Sequence, residues 1–222
     1  MTVVAVIAPH PDDETLGCGG ALLRHKEDGD EIHWIIMTTI FEDSVYSKNA
    51  VASRKAEIEK VAMSYGFDSV HQFNFKTTEL DQIPIKERIE EITTCFKKIQ
   101  PQVLYIPNRY DVHSDHKSTH DAVLACTKSF RHSFIRSVRV YETISETEFS
   151  MHYGGNGFQP NLWVDVSKYV DKKIEIMKLY SGEMKEHPFP RSEKNIRALA
   201  TLRGATINTE YAESFLLLKE II

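Results

Sequence analysis

The chain has 222 residues, 41% of them hydrophobic and 27% charged, with a formal net charge of −5. That length and balance fit one soluble α/β domain spanning 1–222. The acidic charge offers no basic field for a nucleic acid backbone, so nucleic acid is excluded as a partner. No apolar run reaches the ~18 residues of a transmembrane segment. Cys18, Cys95 and Cys126 form neither a C-x-x-C pair nor an even disulfide framework, which points to a reducing, cytoplasmic setting.

In chain order, Val3 to Ala8 (VVAVIA) is a continuous apolar run rich in β-branched residues, as in a strand buried on both faces. Glu14 to about Glu27 reads as a helix stopped at Asp28-Gly29. Ile32 to Thr38 is a second strand, followed by a loop rich in Asp, Ser and Asn. Ala50 to Tyr65 reads as a helix with Ala56, Val61 and Met63 as apolar positions and Gly66 as its stop. Val70 to Phe75 is a third strand, and Pro84 opens a helix running to about Ile99. Val103 to Ile106 is a fourth strand, ended by Pro107. His116 to about Phe130 reads as a helix, and Val138 to Tyr141 as a fifth strand.

The strand–helix alternation implies a parallel sheet covered on both faces. The expected fold is α/β, a Rossmann-like three-layer sandwich with a mostly parallel sheet of order 3-2-1-4-5 plus extra strands. Beyond it come a glycine-rich loop (Met151 to Pro160), a strand (Leu162 to Val166) and a helix (Lys168 to Lys185). Two prolines keep Glu186 to Arg191 from being helical. A helix (Glu193 to Leu202) and a strand (Phe215 to Ile222) close the chain.

Two clusters carry the chemistry. His10-Pro11-Asp12-Asp13-Glu14 follows the first strand, and Asp111-Val112-His113-Ser114-Asp115-His116 follows the fourth. In the order 3-2-1-4-5 these strands are neighbours, and their carboxyl ends flank the point where ligands bind in open sheets. Imidazole nitrogen and carboxylate oxygen both suit zinc. Two histidines and one aspartate would leave a position for water, with a pKa lowered to about 7. An unligated carboxylate beside it can take the proton. Spacing alone does not choose between Asp12 and Asp13 as ligand. Taken singly, the first cluster fits a helix N-terminus and the second a solvated loop. Their meeting at adjacent strand ends favours a metal site.

These motifs resemble those of the PIG-L/LmbE-like de-N-acetylases, which pair a His-Pro-Asp-Asp-Glu segment after the first strand with a His-x-Asp-His segment after the fourth. Here they are His10 to Glu14 and His113 to His116. Ser114 departs from the proline common there, leaving the ligand spacing intact. The resemblance implies His10, Asp13 and His116 as ligands of zinc, with iron(II) fitting the same set. It implies Asp12 as general base, His113 as the acid that holds the oxyanion and protonates the amine, and Asp115 orienting His113 and raising its pKa. Arg54, with Glu57, matches an Arg-x-x-Glu feature and reads as substrate-binding. The implied substrate is an N-acetylated amino-sugar conjugate, and the resemblance also points to a homo-oligomer.

Phosphoester hydrolysis at the same metal, or a non-catalytic sugar- or nucleotide-binding module, are the competing readings. Gly17, Gly19 and Gly20 miss both phosphate-loop spacings and suit close packing of helix on sheet. Asp111 fits either the pocket or a strand-end turn. Trp34 and Phe73 read as core. His25, His33, His71, His120, His132 and His152 read as surface or packing residues. The His187 to Arg191 loop is expected to cover the pocket, with Arg191 or Arg203 reaching an anionic aglycone.

Overall fold

The computed structural model describes residues 1–151 and 157–222. Part of the expected glycine-rich loop, and His152, lie outside the described residues. Five parallel strands form the body of the sheet: β1 (Val3–Ala8), β2 (Glu31–Thr39), β3 (Ser69–Lys76), β4 (Val103–Pro107) and β5 (Ser137–Tyr141). Strands β6 (Leu162–Asp165) and β7 (Ala212–Glu220) extend it. β7 pairs antiparallel with β5, and β6 antiparallel with β7, giving the order β3-β2-β1-β4-β5-β7-β6. The expected order holds, with the extra strands added beyond β5.

The helices are α1 (Asp13–Glu27), α2 (Lys48–Tyr65), α3 (Ile85–Ile99), α4 (Ser114–Cys126), α5 (Val170–Met177) and α6 (Glu193–Thr206). Strand side chains alternate in direction. From β1, Val4, Val6 and Ala8 pack with α1, α2, α5 and α6 on one face. Ala5 and Ile7 pack with α3 and α4 on the other. This double burial is why VVAVIA carries no polar residue. Trp34 and Phe73 are core residues, as expected, and the three cysteines are free and buried. Among the described residues, no helix is long and apolar enough to cross a membrane.

Two helix boundaries and one helix face differ from expectation. The helix expected over 168–185 is regular only over Val170–Met177, because the chain turns so that the Tyr180 hydroxyl reaches Glu14 at 2.7 Å. The buried face of α2 is Glu57, Ile58, Val61 and Tyr65, at helical spacing, whereas Ala56 and Met63 face solvent. Helix α4 begins at Ser114, so His116 sits in its first turn, and it ends at Cys126.

Helix α1 is kinked at Cys18 (φ −145°, ψ 21°). A kink frees backbone N–H groups just as a helix start does. Glu213 on β7 meets them, accepting from the Gly20 and Ala21 N–H groups at 2.8 Å each. Lys173 on α5 balances that carboxylate at 2.7 Å and donates to the Leu16 carbonyl at 2.8 Å. A Cβ on Gly17 would stand 2.2 Å from the Tyr141 ring, and one on Gly20 2.7 Å from Val166. The glycines therefore admit close packing, as read from sequence.

Candidate metal centre and its pocket

Both histidine clusters lie at the carboxyl ends of adjacent strands β1 and β4. His10, Asp13 and His116 each place a ligand atom within 4.8 Å of the others'. Asp13 Oδ2 is 3.4 Å from His10 Nδ1 and 3.3 Å from His116 Nε2. The far nitrogen of each imidazole is held by a second carboxylate. His10 Nε2 lies 2.9 Å from Asp115 Oδ2, and His116 Nδ1 2.8 Å from Asp111 Oδ2. A carboxylate on the outer nitrogen fixes ring orientation and raises basicity, as in carboxylate–histidine–metal relays. His10, His113 and Asp115 form a second such group, but there the His10 Nε2 and the Asp115 carboxylate face each other directly.

The electrostatics favour a cation. Burial alone would lower the His10 pKa, yet hydrogen bonds to Asp115 and Asp13 overcome it and raise it to about 9. His116 is likewise pushed up, against burial, by the Asp13 and Asp111 carboxylates. Asp13 is held well below the usual carboxylate range, again against burial, by His116 and His10. Without metal, a proton on each ring takes up the positive charge that the carboxylates call for. The donor set therefore fits a divalent cation of the zinc class.

Asp12 occupies the N-cap position of α1 but does not cap it with its side chain. Its backbone has φ 126°, a region costly to a non-glycine residue by roughly 1–3 kcal/mol. Glu14 holds that conformation by accepting the Asp12 N–H at 3.1 Å. Glu14 is itself fully buried, bonded by Thr15 and Tyr180, and burial raises its pKa to about 7. The turn sends the Asp12 carboxylate into the pocket, where Arg191 Nη1 lies 3.0 Å away. Burial, then the Asp13 and Glu183 carboxylates, push the Asp12 carboxyl well above its ordinary value, while Arg191 opposes them.

His113 is the N-cap of α4, and its Nδ1 accepts the Asp115 N–H at 3.1 Å. That bond places the proton of the neutral ring on Nε2. The contact between Asp115 and His113 is this backbone N–H, while the Asp115 carboxylate accepts from the Thr78 and Leu80 N–H groups at 2.7 and 3.1 Å and faces His10. Burial and then the His10 charge lower the His113 pKa, outweighing the Asp115 charge, which acts to raise it as expected, so the net shift is downward.

The centre opens into a cavity of about 330 Å³, within the range of small-ligand sites. Arg54 lines it, as expected, but its Nη2 donates to Glu183 at 2.7 Å and its Nε lies 3.4 Å from Glu57. Arg191 lines it too, so the 187–191 loop does reach the pocket. Arg203 does not line it, because both of its ends are tied to Glu142 at 2.8 and 2.7 Å. Glu183, Glu146, Tyr46 and Gln72 are lining residues that sequence reading missed. Burial raises the Glu146 carboxyl above its usual value.

Fold and cluster together define an α/β protein with a candidate cation site at the switch point of its sheet. The model of the family described as PIG-L, GlcNAc-PI de-N-acetylase, matches residues 5–127, over half of the chain, and the chain belongs to that family. It is 26% identical over 222 residues to the diacetylchitobiose deacetylase of Thermococcus kodakarensis, covering 95% of this chain and 80% of the relative. The N,N′-diacetylchitobiose deacetylase structure from Pyrococcus horikoshii superposes with a TM-score of 0.76 at 22% identity, covering 97% of this chain and 83% of that one. The 4-carboxy-2-hydroxymuconate hydratase of Pseudomonas putida superposes with a TM-score of 0.75 at 16% identity, covering 100% and 98%. The fold is thus shared with a hydratase as well as with deacetylases, and the reaction has to be argued from the site.

Proposed function

We propose that this chain, as one domain over 1–222, is a metal-dependent hydrolase that removes the acetyl group from an N-acetylated amino sugar. The observation that carries the reading is the pair of carboxylate-anchored imidazoles converging with Asp13 beside an Asp12 that faces the pocket and pairs with Arg191. His10, Asp13 and His116 would hold the cation, zinc by the donor set, with iron(II) fitting the same ligands. When bound, such an ion polarises the acetyl carbonyl and acidifies water at the site.

The residues supply the rest. Asp12, oriented by Arg191 and lifted in pKa by burial, takes the proton of the attacking water. His113 presents its Nε2–H to the developing oxyanion, since Nδ1 already accepts a backbone N–H. The amine needs a proton to leave, and Asp12 would return to it the one taken from water, while His113 would hold the oxyanion. Asp115 and Asp111 act as positioning residues that hold the two ligand rings. Arg54 ties Glu183 and the Pro11 carbonyl to the pocket wall. Three free, buried cysteines support a reducing, cytoplasmic setting.

The test is a release screen on protein of measured metal content. N-acetylated sugars are offered for acetate release and sugar phosphates for phosphate release. Acetate release that scales with bound metal is expected. Phosphate release without acetate release would overturn the reading in favour of a phosphoesterase.

A further inference from the structure

Charge in the cavity is unevenly committed. Four carboxylates line it, Asp12, Asp13, Glu146 and Glu183, against the guanidiniums of Arg54 and Arg191. Both guanidiniums are already paired. Arg54 is bound to Glu183 at 2.7 Å, and Arg191 lies 3.0 Å from Asp12 and 3.1 Å from Glu183. Neither guanidinium is therefore left unpaired for an anionic group. Arg203, the other arginine considered for an anionic group, is tied to Glu142.

Glu146 differs from the other three carboxylates. Among the described residues its side chain has no hydrogen bond or ion pair. Its backbone is nevertheless fixed. The Glu146 N–H donates to the Thr143 carbonyl at 3.1 Å, and its carbonyl accepts from Val112 at 3.3 Å. The next residue, Thr147, donates its hydroxyl to Asp111 at 2.6 Å, and Asp111 holds His116. The turn carrying this free acceptor is therefore tied to the same carboxylate that anchors a ligand ring.

We propose that Glu146 binds substrate and selects conjugates whose aglycone is uncharged and hydroxyl-bearing, a second sugar ring or a polyol, over those carrying phosphate or carboxylate. This selectivity rests on deacetylation being the reaction of the site. A sugar hydroxyl donating to a carboxylate makes a charge-assisted hydrogen bond. An anionic aglycone in the same cavity meets Glu146 and finds both arginines engaged. Repulsion of the wrong partner is half of such discrimination.

The experiment compares acetate release from N,N′-diacetylchitobiose and from N-acetylglucosamine 1-phosphate, on the metal-loaded wild type and Glu146→Gln. Wild type favours the uncharged substrate, and its preference narrows as salt is raised to about 0.5 M, where charge repulsion is screened. Glu146→Gln raises KM for the disaccharide about tenfold, more than it lowers kcat, and narrows the preference. Inhibition by the matching deacetylated products reads binding apart from chemistry and follows the same order. Equal kcat/KM for the two substrates, a preference for the phosphate, or a variant altered in kcat alone overturns the specificity proposal while leaving deacetylation intact. No acetate release from any N-acetylated sugar overturns the deacetylase reading itself, and this proposal with it.

Discussion

The stretch from β1 to β5 and the stretch after it build the same cavity in different ways. The first supplies its chemistry from two short segments, each at the end of a buried strand, so that His10, Asp12, Asp13, Asp111, His113, Asp115 and His116 converge by topology. The second supplies isolated residues: Glu146, Glu183 and Arg191 on the cavity wall, and Glu213 outside the cavity, at the kink of α1. On the proposed reading, local motifs carry the reaction, whereas scattered later residues set the charge of the pocket and close the kink of the helix that follows the first motif.

The sharpest way to break that division is at Asp12. Asp12→Asn keeps the three proposed ligands and removes the proposed proton acceptor. Metal content by elemental analysis is expected to stay at the wild-type level while kcat falls by about 10²–10⁴. Near-normal turnover would move the base elsewhere, with Glu183 the nearest alternative carboxylate on the Arg191 network.

Next is Glu213, which lies in the second stretch yet closes the kink of α1. Glu213→Ala leaves Lys173 buried and unpaired, together with two helix N–H groups. Losing one partner of a buried pair costs about 3–5 kcal/mol, read by urea denaturation. A loss below about 1 kcal/mol would mean that the later stretch merely covers the earlier one.

Asp111 sits between the two, bonded to His116 on one side and to Thr147 on the other. Asp111→Asn is expected to weaken metal affinity about 10- to 100-fold, measured by chelator competition. Unchanged affinity would reduce Asp111 to a strand-end turn residue.

The smallest effect lies far from the pocket. His25 bonds Asp30 and Tyr105, and burial lowers its pKa. Its folded state binds fewer protons than its unfolded state, so this contribution is present above the ordinary histidine value of 6.5 and is lost as pH falls below it. His25→Gln should flatten the stability–pH profile between about pH 7 and 5. A profile identical to wild type would remove His25 from the account.

The five parallel strands were legible because burial on both faces leaves continuous apolar runs, and strand adjacency then predicted that His10 and His116 meet. The anchoring of the rings was not legible. Asp115 lies two residues from His113 and one from His116 in sequence, yet its carboxylate turns to His10 because the Thr78 and Leu80 N–H groups draw it there. Glu183 was hidden inside an expected helix. Gly182, at φ 82°, was the available sign that the helix had ended. Glu146 carries no local pattern at all, since its role depends on which arginines across the cavity are already paired.

The most direct test is titration of metal-stripped protein with zinc, for the wild type and for His10→Ala and His116→Ala. One tightly bound ion per wild-type chain is predicted, with acetate release restored in step and both variants binding poorly. Full acetate release by metal-free protein, or undiminished binding by either variant, would contradict the account.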